Sequence, residues 1–171
     1  GKRITGHTAL LENEPLWSYL AGGVSDDHNA HKTKDVVERL RLGAVLTVMA
    51  GSMNDNTPEV FADIPALKDG LRHIAFCADD KLVEDLDRQG HIDHHVRKAI
   101  ACGVDPLAAW RMATLNAAAY YRVDHLIGSV TPNKLADLQL VADLAEARPH
   151  LVLVDGQIVA RDGAPLFANN D

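Results

Sequence analysis

Apolar residues along this chain fall into short runs separated by stretches with helical spacing. Residues 44–49 form one such run, which ends in Ala50-Gly51-Ser52; residues 73–78 form another, which ends in Asp79-Asp80. Runs of this kind suit parallel strands buried on both faces. Shorter strand candidates lie at 3–7, breaking at Gly6-His7, and at 24–27. Helical spacing is clear at 33–42, where Val36, Val37, Leu40 and Leu42 make an apolar stripe between a Thr33 N-cap and a Gly43 C-cap. It recurs at 14–21, 58–67, 92–102 and 106–119, the last opening with Asp105 as N-cap ahead of Pro106. Strand alternating with helix is the βα pattern of a parallel sheet, and about four such units fit either half of an eight-stranded barrel or a small open sheet.

The pattern changes near 124–128. Residues 138–141, 151–154 and 157–160 alternate as strands do, and Asp155-Gly156 between the last two is a two-residue hairpin signal. We therefore expect an α/β region over 1–125 and a small antiparallel β module over 126–171.

Composition narrows the function classes. With 171 residues and 47% hydrophobic content the chain can bury a domain-sized core. A net charge of -7 argues against a general nucleic-acid binder. No apolar run approaches the roughly 18 residues needed to span a bilayer. Cys77 and Cys102 form no CxxC pair; buried, reduced thiols and a cytoplasmic setting are expected.

Nine histidines are present, several beside acidic residues. His7 lies at the end of the first strand candidate, His28 just past the second and Asp79 just past the last. In parallel βα folds the carboxyl ends of the strands converge on one rim. Two imidazoles and a carboxylate delivered there make most of a divalent metal site with a position left for water. Each has a plainer reading: a loop histidine, a turn, or a cap. Their coincidence at three strand ends is what favours a metal.

The stretch Phe76-Cys77-Ala78-Asp79-Asp80 with Gly90-His91-Ile92-Asp93-His94-His95 resembles the adenine deaminase family of the amidohydrolase superfamily. Met112-Ala113-Thr114-Leu115-Asn116-Ala117-Ala118, Lys134-Leu135-Ala136-Asp137-Leu138 and Val154-Asp155-Gly156 extend the similarity. Gly6-His7-Thr8 and Ser25-Asp26-Asp27-His28 look like the family's two single-histidine motifs. The resemblance implies the C-terminal half of a (β/α)₈ TIM-like barrel, strands five to eight, and a manganese, iron or zinc hydrolase turning adenine into hypoxanthine and ammonia in purine catabolism. By position, His7, His28 and Asp79 match metal ligands, with Asp79 also the proton shuttle. Asp80, His91 and Ser52 match substrate-facing or supporting positions, and His94 a helix residue that caps or packs.

The chain departs from the family in three places. The first-strand His-x-His pair and the fourth-strand bridging residue are absent, which leads us to expect a fragment, a split half or a homo-oligomer. Asn29 stands where a glutamate is usual. Met49-Ala50-Gly51-Ser52 stands for Arg-Glu-Gly-Ser. Another cyclic amidohydrolase opening an imide or lactam, and a catalytically silent half-barrel, are the competing expectations.

Overall fold

The computed structural model describes residues 2–168. Its first sheet has three parallel strands, β1 (Asp26–Asp27), β2 (Val45–Met49) and β3 (Ile74–Cys77), in that order. Asp26 pairs with Val45, and Met49 with Cys77, so the three carboxyl ends share one edge of the sheet. Leu46, Val48, Ile74 and Phe76 are buried and form one core with Val36 of α2 (Thr33–Arg41), Val96 and Ala99 of α6 (Ile92–Ala101), and Ala109 and Met112 of α7 (Pro106–Ala113). The sheet brings the polar strand ends together; the helices behind it hold it in place by apolar burial.

Residues 3–7, expected as a strand, form none. Ser25 N–H donates to Ile4 O, but Gly6 N–H donates to the Asp26 side chain instead of a neighbouring carbonyl. A carboxylate thus ends the ladder where the fourth strand was expected. The approach is close: a Cβ on Gly6 would lie 2.2 Å from Val24 Cγ1 and 3.1 Å from Asp26 O.

Other expectations shift for local reasons. Helix α1 (Asn13–Ala21) forms as expected. Thr33 does not cap α2: it is the first helical residue, its hydroxyl donates to Val60 O at 2.9 Å, and Asp35 accepts the Lys32 N–H. The helix expected at 58–67 divides into α3 (Thr57–Val60) and α4 (Ile64–Leu67), with Asp63 capping the second through Ala66 N–H. A 3₁₀ turn (Lys68–His73) follows. Helix α5 (Val83–Gln89) was not legible, because it has no buried residues and so no stripe. The helix expected at 106–119 breaks at Thr114 (φ −129, ψ −89), giving α7 and α8 (Leu115–Tyr121). Asp105 caps α7 as expected, accepting Ala108 N–H at 3.0 Å.

The second sheet is antiparallel: β4 (Leu138–Val141), β5 (Pro149–Val154), β6 (Gln157–Arg161) and β7 (Ala164–Pro165). Asp155 (φ 50) and Gly156 (φ 75) make the β5–β6 turn, and positive φ at both centres is the type I′ hairpin geometry. The sheet leans on the first region: Trp110 Nε1–H donates to Leu144 O, and Ala147 is buried in the main core. Cys77 and Cys102 are free and half-buried rather than buried. Among the described residues no helix is long and apolar enough to cross a membrane.

Candidate metal centre

His28 follows β1 directly and Asp79 follows β3 by one residue. Parallel pairing places them side by side, with His28 Nε2 3.9 Å from Asp79 Oδ1. His7, on the loop before α1, brings its ring centroid within 5.1 Å of that of His28, edge to face at 71°. Both side chains of the His28–Asp79 pair reach solvent, at 27% and 47% exposure. Asp79 has φ 48, a left-handed conformation that aspartate tolerates better than most residues. Imidazole, imidazole and carboxylate are suitable donors for a divalent cation. They approach in pairs: among the described residues no three His, Cys, Asp or Glu side chains are grouped so as to hold a metal ion. The donor set fits a divalent cation in kind, and His28 is the member that lies near both of the others.

The expected supporting residues occupy different places. Asp80 accepts Ser52 N–H at 3.0 Å and Met53 N–H at 3.3 Å, while Ser52 Oγ accepts Leu82 N–H at 2.8 Å. Together they lash the loop after β2 to the loop after β3. Gly51 is required there, since a Cβ on it would overlap Asp80 Oδ1 at 1.5 Å. His91 is the exposed N-cap of α6 and lines a cavity with Asp93, Trp110 and Gln139, in which His7, His28 and Asp79 take no part. Met49 and Ala50, where the family carries a charged pair, are both 1% exposed and belong to the interior.

Sequence reading passed over two structural residues. His95 is fully buried; its Nε2 lies 2.7 Å from Cys77 O and 3.2 Å from Ala50 N, where it donates to the one or accepts from the other according to tautomer, and its Nδ1 faces His91 O at 3.0 Å. Burial pushes its pKa down, against the pull of the two carbonyls. The signal was present: His95 shares the Ile92, Val96, Ala99 stripe of α6. Arg39, 1% exposed, pairs with the buried Asp27 at 2.9 Å. Its signal was an arginine three residues after Val36, on the buried face of α2. Cys77, with its thiol pKa raised to about 11 by burial, is no nucleophile.

The amidohydrolase family profile matches residues 3–159. The chain belongs to the amidohydrolase family. Within that family it is similar to adenine deaminases, as the motifs implied. It is 40% identical to an adenine deaminase of Desulforamulus reducens over 163 residues, which covers 95% of this chain and 28% of that protein. It is 36% identical to an adenine deaminase of Bacillus velezensis over 168 residues, covering 98% and 28%. This amidohydrolase chain therefore spans under a third of the length of these relatives. Two solved structures share its α/β fold. A β-aspartyl dipeptidase from Fervidobacterium islandicum AW-1 has a TM-score of 0.61 at 18% identity, covering 81% of this chain and 38% of that one. An enamidase has 0.55 at 18% identity, covering 88% and 52%.

Proposed function

We propose that this amidohydrolase chain carries part of the metal centre of a hydrolytic deaminase, and that the whole enzyme converts adenine and water into hypoxanthine and ammonia. The observation that carries the reading is the approach of His28 to His7 and to Asp79, from three separate loops beside one sheet edge. The substrate comes from the relatives named adenine deaminase. We read residues 1–125 as strands five to eight of a (β/α)₈ barrel, with the 4–7 segment in the place of the fifth strand, and 126–171 as the small β module. We read the enzyme as cytoplasmic, a setting that free cysteines suit.

His7, His28 and Asp79 would hold the divalent metal, whether manganese, iron or zinc. When bound, such an ion lowers the pKa of water and so supplies hydroxide at neutral pH. Asp79 would move two protons in turn, one from the attacking water to the ring nitrogen and a second from the newly added hydroxyl to the departing amine. Asp80 and Ser52 shape the rim, because their polar atoms hold loop amides. The exposed His91 is the remaining candidate for substrate contact. The partner is a small aminated heterocycle. We read the partner protein as a second copy or a further part of the same enzyme; Val154 and Ile158 of the second sheet are exposed apolar residues it could meet.

Calorimetric titration with manganese or zinc tests the ligand set: binding is expected in the wild type and lost in His28→Ala. Ammonia release from adenine, against cytosine, guanine and dihydrouracil, tests the chemistry in the full enzyme. Asp79→Asn is expected to cut turnover about 10²–10⁴-fold with an unchanged melting temperature. Full activity in that variant removes Asp79 from the proton relay.

A further inference from the structure

Asp27 is fully buried, and both of its oxygens are engaged. Oδ1 accepts the N–H of Thr8 at 2.9 Å and of Asn29 at 3.1 Å. Oδ2 accepts the Thr8 hydroxyl at 2.5 Å and Arg39 Nε–H at 2.9 Å. Thr8 is the residue after His7, and Asn29 is the residue after His28. One carboxylate therefore fixes both histidine turns on the same flank. Its neighbour Asp26 fixes the other flank of His7, accepting Gly6 N–H at 3.1 Å, and is itself held by the Tyr120 hydroxyl.

Arg39 completes the bracket. Its Nε–H is shared between Asp27 Oδ2 and Thr8 Oγ1, and its Nη2 donates to Ala9 O and Leu11 O at 3.2 and 3.1 Å. The loop after His7 is thus clasped along residues 8–11. A buried ion pair is a poor source of net stability, since well-packed apolar residues serve as well or better. What a carboxylate with four donors supplies is fixed geometry.

We infer that Asp27 is a positioning residue that sets the spacing of the His7 and His28 rings, with Thr8 and Arg39 holding it in place. The inference rests on the reading of both histidines as ligands of one divalent cation.

Thr8→Val tests it, because valine keeps the side-chain shape and removes the hydroxyl that donates to Asp27 and accepts from Arg39. In the metal-free protein, the nuclear Overhauser contact between the two rings is expected in the wild type and weakened in Thr8→Val. Calorimetry with zinc is expected to show about 10–100-fold weaker binding in the variant, the usual scale for residues that orient ligands. Thr8→Ser, which restores the hydroxyl, is expected to recover both readouts. If Thr8→Val fails to fold, Arg39→Lys takes its place: it keeps the charge but cannot span Ala9 and Leu11. An unchanged ring contact together with wild-type zinc affinity in the folded variant overturns the inference. If the wild type takes up no zinc, the functional reading fails, and the ring contact in metal-free protein still decides whether Asp27 sets the spacing.

Discussion

His94 and His95 are neighbours on α6 with different tasks. His95 points into the core at the ends of β2 and β3, whereas His94 is half-buried beside Lys81. Burial first, and Lys81 second, push the His94 pKa from 6.5 down to about 4. Its sign for stability follows directly. Between those two values the unfolded chain binds a proton that the folded chain refuses, so stability rises with pH across the window and is lost as pH falls from 6.5 toward 4. His95, also lowered by burial, adds in the same direction. The urea midpoint is expected to be lower at pH 5 than at pH 7, and His94→Gln should shrink that difference without removing it. An equal pH slope in the variant would show that His94 titrates normally. At this scale the strand-end positions of His28 and Asp79 were legible because they depend on local pattern, whereas His7 follows a segment that forms no strand. The partners of Asp27 were not legible, since Thr8 and Arg39 lie 19 and 12 residues away and meet it only after folding.

Elements were legible where a local pattern determines them. β2 and β3 follow from apolar runs, α6 from its stripe, and the β5–β6 hairpin from Asp155-Gly156. They were misread where a side chain from elsewhere intervenes. Asp26 takes the amide that would have joined residues 3–7 to the sheet. At the opposite end of β3, the buried Asn116 of α8 donates to Leu71 O and Ile74 O at 2.9 and 2.8 Å, pinning the turn that enters the strand. β3 is thus held at both ends by side chains, Asn116 at its start and His95 at its finish. Asn116→Ala leaves two carbonyls without these donors and is expected to cost about 1–3 kcal/mol in urea unfolding. A change below about 0.5 kcal/mol, the range of ordinary surface substitutions, would mean the two bonds hold nothing in place.

Across the whole molecule, a core between the first sheet and α2, α6 and α7 supports a polar rim, and the second sheet is attached through Trp110, Ala147 and the Arg97 contact with Glu146 O. The α/β class was legible from the alternation of elements, and so was a short strand ending at Asp27; the burial of both aspartates was not, because the groups that satisfy them come from distant parts of the chain. The clasp on the His7 loop has a consequence for the order in which the molecule opens. Loop amides ordinarily exchange their hydrogens with solvent freely, whereas those bound inside a cooperative unit wait for that unit to unfold. The amides of Gly6 and Thr8 are bonded to buried carboxylates that belong to the sheet. Their hydrogen–deuterium exchange is therefore expected to be as slow as that of β2, while the amide of Leu10, a residue 88% exposed, exchanges quickly. Fast exchange at Gly6 and Thr8 would show that the loop frays independently. With the loop and sheet opening as one, the backbones that carry His7 and His28 separate only when the sheet itself opens, so the distance between the two imidazoles outlasts the ordinary motions of a surface loop.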